Sequence, residues 1–274
     1  MSATAAAPFR RAKPLLGTLV SIEVADAHAS DSDAVEEAVQ QAFDVIEAIH
    51  DAMSAHRSDS DLAKLSRARA SESIELSRHT CVVLRAAKHW ARASAHAFDP
   101  QRAATQLSQR GARPGIAAPP GLIGSLAALE FRSETTVMTD GPLPLDLGGI
   151  AKGYAVDQAV EVLRARGVHC ALVSAGGDLR AFGDRVWRVD LRHPAADALS
   201  GRLLRLKEGA VATSTRGDEF ISKRRIASSW RCASVQARDC MTADALTKWA
   251  LDAPAPSLQL RSALRSAGAR LVRW

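Results

Sequence analysis

LDLGGIAKGYAVDQAVEVLRARGVHCALVSAGGDLRAFG, residues 145–183, carries the densest structural signal in the chain. Pro142 and Pro144 punctuate its entry, and the paired glycines Gly148 and Gly149 form a turn before a helical stretch. Tyr154, Val156, Ala159, Val160 and Leu163 fall at helical spacing, and Gly167 supplies a C-cap. VHCALVSA then reads as a short apolar strand closed by the Gly176-Gly177 turn, a hairpin or sharp corner in which glycine accommodates positive φ.

Toward the N-terminus, LLGTLVSIEV reads as one strand beginning after Pro14. From Asp33, the residues Val35, Val39, Phe43, Ile46, Ile49 and Met53 recur every three or four positions, which predicts a long amphipathic helix capped by Ser32 or Asp33. LAKLSRA predicts a short helix, and residues 77–95 another, with Val82, Val83, Leu84, Ala87 and Trp90 on its apolar side. Residues 100–124, rich in Pro, Gly, Gln and Ala, read as an irregular excursion. Toward the C-terminus, residues 185–191 alternate as a half-exposed strand, and residues 242–251 and 258–268 predict two more helices. Strands and helices mix without a βαβ rhythm, so the expected fold class is α+β.

Composition narrows the function classes. The 274 residues are 47% hydrophobic and 24% charged, which suits a soluble globular chain with a sizeable core. Lys plus Arg outnumber Asp plus Glu by 36 to 30, a balance that suits an anionic ligand. The arginines form no stripe and aromatics are only 4%, so the platforms of single-strand nucleic-acid binders are lacking and no nucleic-acid partner is expected. No window is long enough for a membrane span, and the start has neither an apolar signal-peptide core nor an early cysteine for a lipid anchor. Cys81, Cys170, Cys232 and Cys240 form no CxxC pair and read as reduced thiols, so the expected location is cytoplasmic.

Two constellations could carry chemistry. In LDLGGIAKG, paired glycines before a helix let backbone N–H groups approach an anion, and Lys152 adds a full charge. The motif is neither a P-loop nor a GxGxxG fingerprint, and a tight structural turn with a solvated lysine explains it equally simply. In TADALTK, Asp244 and Thr247 share a helix face beside Lys248. Hard oxygens at that spacing suit Mg²⁺, while a surface helix with a local Asp–Lys pair is the plainer alternative. The eight histidines form no HxH or HxxxH pair, and no GxSxG elbow occurs.

Taken in order, residues 145–183, LLGTLVSIEV, DAMSAHRSDSDLAKLS, HAFDP, VATSTRGDEF and CMTADALTKWAL resemble the ApbE-type FAD:protein FMN transferase family. The resemblance implies one α+β domain of T-fold-like kind over residues 14–274, with residues 1–13 as a flexible tail. It implies Mg²⁺-dependent transfer of FMN from FAD, the substrate, to a Thr or Ser hydroxyl of an acceptor flavoprotein, releasing AMP. By position it implies that Asp146 and Lys152 contact FAD, and that Leu16, His56, Ala97, Phe98 and Asp99 lie near the flavin or adenine. For the metal it implies the Gly149 carbonyl, Asp244 and Thr247, with Lys248 standing where the family often has Thr. Thr213 and Ser214 fall close to the family's site, and no catalytic residue is assigned. Three features depart from the family pattern: residues 221–230 read ISKRRIASSW without a His-x-x-Asp-Pro-Arg-Thr-Gly segment, Lys248 replaces Thr, and His56 and Leu16 replace Tyr and Met. Two expectations follow, an active transferase or a FAD- or nucleotide-binding relative that has lost transfer.

Overall fold

The computed structural model describes residues 8–25, 32–111, 113–119, 121–192, 199–215, 230–254 and 257–273. Its chain contacts group into two compact units, Met1–Glu47 with Lys152–Trp274, and Ala48–Ala151. The class is α+β, and every paired strand is antiparallel. Among the described residues, no helix is long and apolar enough to cross a membrane.

The first unit is built on a seven-stranded sheet. In sequence these strands are β1 (Phe9–Leu15), β2 (Thr18–Val24), β6 (Ala171–Ala175), β7 (Asp178–Phe182), β10 (Gly209–Thr215), β11 (Cys232–Ala237) and β12 (Arg270–Arg273), and that is also their order across the sheet. The single strand expected after Pro14 is a hairpin. Phe9-Arg-Arg-Ala-Lys-Pro-Leu alternates half-buried and exposed positions and pairs with Thr18–Val24 from Phe9 onward. Leu16 and Gly17, with φ of 57° and 71°, make the turn. Residues 9–13 therefore belong to the sheet, while residues 1–7 lie outside the described residues.

Val20, Ile22 and Val24 alternate inward on β2, as a sheet with one core face requires. Helix α6 (Cys240–Asp252) packs on β7, β10 and β11. Helix α5 (Ala151–Ala165) buries Val156, Ala159, Val160 and Leu163 as its spacing predicts. A two-stranded ribbon, β8 (Trp187–Arg192) and β9 (Leu199–Leu206), adds Trp187, Leu191 and Leu206 to a cluster with Ala181 and Val211. Helix α7 (Leu258–Ser266) starts at Ser257, whose hydroxyl accepts from Leu260 N. Helix α1 (Ser32–Ala52) covers the predicted periodic stretch, and the unit boundary falls within it, between Glu47 and Ala48.

The second unit holds α2 (Asp61–Ser66), α3 (Arg78–Ala93), α4 (Pro100–Ser108), a short 3₁₀ turn (Pro114–Ile116) and a three-stranded sheet. That sheet orders β3 (Ser73–Glu75), β5 (Thr136–Met138) and β4 (Glu130–Phe131). Ser60 and Ser77 cap α2 and α3 through their hydroxyls. Helix α4 replaces the first part of the expected irregular stretch. Asp99 accepts from the N–H groups of Gln101 and Arg102, and Pro100 fills the first helical position, a start signal strong enough to offset the following Pro and Gly content.

Asp61 ties this unit together. Its carboxylate accepts from Ser77 N at 2.7 Å and from the Thr80 hydroxyl at 2.7 Å, and pairs with Lys64 at 2.7 Å. Burial alone would raise its pKa, but the Lys64 hydrogen bond, the Ser77 N–H and the Thr80 hydroxyl outweigh it and hold the group below the usual value. A depressed carboxylate stabilises the fold above its unfolded pKa, and that contribution is lost as pH falls through the folded pKa. Asp61→Ala is expected to cost about 3 kcal/mol at neutral pH, because the buried Thr80 hydroxyl and the half-buried Ser77 N–H lose their acceptor. Denaturant unfolding at pH 7 and in acid checks this: the gap between parent and variant should narrow in acid. A pH-independent gap would contradict it.

Candidate functional site

Helices α5 and α6 meet at their N-terminal ends, and glycine allows it. A Cβ at Gly153 would stand 2.3 Å from the Cys240 carbonyl oxygen and 2.8 Å from Met241 N. One turn on, the Asp157 carboxylate accepts from Cys240 N and Met241 N, each at 2.8 Å, and pairs with Arg180 at 3.0 Å. Burial pushes Asp157 up to about 6, against the two N–H groups and Arg180, which favour its charged form. Asp239 caps α6 by accepting from Thr242 N.

This docking brings Lys152, Asp244, Thr247 and Lys248 together, and adds Asp178 from the start of β7. Lys152 Nζ lies 2.6 Å from Asp178 Oδ2 and 3.4 Å from Asp244 Oδ2. Lys248 Nζ lies 3.4 Å from Asp244 Oδ1, one helical turn away. Gly153 N, in the first turn of α5, donates to Asp244 Oδ2 at 3.4 Å. The carboxylates form a buried layer, with side chains 2% (Asp178) and 0% (Asp244) exposed, and the lysines form the outer layer, 26% (Lys152) and 34% (Lys248) exposed. Burial would strip the Lys152 proton, but Asp244 and Asp178 outweigh it and hold the ammonium charged well above the ordinary range. Burial and the Asp244 charge push Asp178 up to about 6, while Lys152 and Lys248 pull the other way. The cluster thus sets two lysines over two buried aspartates.

A chain of hydroxyls fixes Lys248. An ammonium can only donate, so Lys248 donates to Ser214 Oγ. Ser214 Oγ and Thr247 Oγ1 are 2.6 Å apart, and Thr247 donates to the Asp244 carbonyl at 2.7 Å. Ser214 must then donate to Thr247, which assigns every proton along the chain. Thr213 and Ser234 share a further hydroxyl contact at 2.8 Å. The β6–β7 turn closes the group: a Cβ at Gly176 would meet Thr18 Oγ1 at 2.9 Å, and one at Gly177 would meet the Thr213 carbonyl at 2.8 Å. The turn bearing Leu16 is continuous with Thr18 in the same unit.

The residues expected to hold Mg²⁺ have lysine ammoniums and hydroxyls as their neighbours. Each oxygen of Asp244 lies 3.4 Å from an ammonium, with Oδ1 making no hydrogen bond; the buried Thr247 hydroxyl donates once and accepts once, and a charged lysine offers no lone pair. Among the described residues, no group of three or more His, Cys, Asp or Glu side chains is arranged as a metal site. The two lysine side chains are partly exposed, and their positive charge suits an anion.

The remaining expected residues lie in the second unit. His56 is exposed in the loop after α1, and its N–H donates to Ser54 Oγ. Ala97, Phe98 and Asp99 form the turn before α4; Phe98 is buried, Asp99 is the α4 cap, and Ala97 offers its carbonyl to Arg102. Ala95 and His96, just before them, are both left-handed, an unusual conformation for residues other than glycine. Asp146 N donates to the Pro100 carbonyl at 3.0 Å, so this segment lies beside that turn. The Asp146 carboxylate accepts from Gly148 N at 2.8 Å and closes the turn that contains Gly149.

Sequence reasoning missed Asp178, treating residues 174–178 as a turn alone. The available signal was a carboxylate directly after Gly-Gly at a strand start; only the sheet register, Asp178 opposite Ala212, reveals its neighbours. The departure at residues 221–230 lies outside the described residues up to 229.

Residues 16–260 match the ApbE family. The chain is 27% identical over 248 residues to the FAD:protein FMN transferase of Treponema pallidum, a match covering 78% of this chain and 66% of that protein. It is 26% identical over 220 residues to the FAD:protein FMN transferase of Vibrio cholerae, covering 75% and 64%. The chain thus spans about two thirds of the length of these curated relatives. The crystal structure of an ApbE protein from Thermotoga maritima superposes with a TM-score of 0.78 at 24% identity, covering 97% of this chain and 94% of that one. With nine-tenths of its length matched in register and the same fold, this chain belongs to the ApbE family.

Proposed function

We propose that this chain, its first strand from Phe9 included, acts as an FAD:protein FMN transferase. The acceptor is a Thr or Ser hydroxyl of a flavoprotein: its oxygen bonds to the FMN phosphorus, the bond to the AMP phosphate breaks, and AMP leaves with the hydroxyl proton lost to solvent. The observation that carries this reading is the pair of partly exposed lysines, Lys152 and Lys248, held over two buried carboxylates in a chain of this family. Their role is to hold the FAD diphosphate and neutralise the charge that gathers on the departing AMP. Because the carboxylates and the Ser214–Thr247 chain hold both ammoniums in place beforehand, little reorganisation accompanies the reaction. Leu16, His56, Ala97, Phe98, Asp99 and Asp146 are the proposed contacts to the flavin or adenine. Four free, buried thiols support a reducing, cytoplasmic setting.

A second reading, flavin binding without transfer, is favoured by ISKRRIASSW at residues 221–230, which offers no histidine and no Asp-Pro. Intact mass spectrometry of an acceptor domain after incubation with FAD, with AMP measured in parallel, separates the two. An FMN-sized mass gain with equimolar AMP is expected. FAD binding with neither would overturn transfer and leave the second reading.

A further inference from the structure

Asp244 is a fully buried carboxylate with a lysine ammonium facing each of its oxygens, Lys152 at Oδ2 and Lys248 at Oδ1. Lys248 is not a loose surface side chain. It sits one helical turn from Asp244 and donates to Ser214, whose own proton goes to Thr247. Ser214 and Thr247 are both buried, so the chain that positions the ammonium is shielded from water. The four charged groups sum to zero, two positive and two negative. A divalent cation entering at Asp244 would have to displace Lys248 and would leave that ammonium beside a like charge. The site thus has its cation built in.

On the reading that FAD is the substrate, we infer that Lys248 takes the place of a divalent metal, so that this chain binds the FAD diphosphate without Mg²⁺. The ammonium is a compact point charge with three donors, suited to phosphate oxygens. Unlike a bound ion, it cannot be removed by chelation. The corollary concerns Lys248→Thr: removing the ammonium and adding a hydroxyl four residues after Asp244 frees Asp244 Oδ1 and supplies a hard oxygen beside it.

Two titrations test this on the full chain. The first uses Mn²⁺ alone, without FAD, reading free Mn²⁺ by electron paramagnetic resonance. Lys248→Thr is expected to bind Mn²⁺ at least about tenfold more tightly than the parent protein; equal binding by the two would overturn the inference. The second measures FAD affinity in EDTA and in Mg²⁺. The parent is expected to differ by less than about twofold between the two media, and Lys248→Thr to lose about tenfold or more in EDTA and recover it in Mg²⁺. A parent protein that loses FAD on chelation would overturn the inference. Absence of FAD binding by the parent in both media would instead overturn the functional reading, and the Mn²⁺ titration would still decide the role of Lys248. If Lys248→Thr does not fold, Lys248→Met replaces it. That variant is expected to lose about tenfold in both media without rescue by Mg²⁺; rescue would count against the inference.

Discussion

Lys152→Ala is expected to unfold on the order of 10 °C below the parent protein, the result of losing about 3–5 kcal/mol. The size follows from what remains. Asp178 and Asp244 are 2% and 0% exposed, and without Lys152 the nearest ammonium is Lys248, 3.4 Å from Asp244 alone. Removing one partner of a buried ionic cluster leaves uncompensated charge, which costs far more than the intact cluster contributes. The loss should also depend on pH. Asp178 already has its pKa pushed up to about 6 by burial and by Asp244, and losing Lys152 removes a group that opposes that push. A carboxyl raised in the folded state stabilises at low pH and loses that contribution as pH rises through its folded pKa. The variant should therefore recover stability as pH falls, beginning above pH 6, and adding Asp178→Asn should recover part of it at pH 7. Thermal melts of the three proteins at pH 5 and pH 7 provide the check. A variant that melts with the parent at both values would show that Lys152 does not neutralise the buried pair.

Gly153→Ala is expected to be a strongly disruptive methyl addition to the first unit. Its Cβ would meet backbone atoms of Cys240 and Met241 at 2.3–2.8 Å, and neither residue can swing aside. Both of their N–H groups are held by Asp157, which belongs to the same helix as Gly153. Parting the helices enough for a methyl would stretch those bonds and draw Lys152 away from Asp244. The expected cost is about 3 kcal/mol, together with a loss of FAD affinity that exceeds the loss from a remote variant of equal stability. Glu47→Ala, at an exposed position of α1 in the same unit, is the control, with an expected change within about 0.5 kcal/mol. Equal denaturation midpoints for Gly153→Ala and the control would contradict the close approach.

The central segment was legible because its signals are local. Gly148-Gly149, the apolar spacing from Tyr154 to Leu163 and the Gly167 cap act within a few residues of one another, and α5 forms where they indicate. The Asp99-Pro100 start is also local, yet it was overridden by the Pro and Gly content that follows, which hid α4. Residues 9–13 look like a basic tail because three of the five are Arg or Lys; their strand exists only through pairing with residues 20–24. The site shows the same division. Lys152, Asp244, Thr247 and Lys248 drew notice through motif spacing, whereas Asp178 enters the cluster only when the sheet brings β7 beside β10. The helix spacing also allowed two meanings for TADALTK, a metal ligand set or an Asp–Lys pair. Ser214, 34 residues upstream of Lys248, decides between them by fixing the ammonium, and no local pattern announces that contact.

The measurement that bears most directly on the account is a calorimetric titration of the full chain with FAD and, separately, with riboflavin, which carries the same ring but no phosphate. Two charge-assisted contacts from Lys152 and Lys248 predict FAD binding at least about 100-fold tighter than riboflavin. Equal affinities, or no heat from FAD at concentrations where a diphosphate site would saturate, would contradict the assignment of the lysine pair as the FAD diphosphate site.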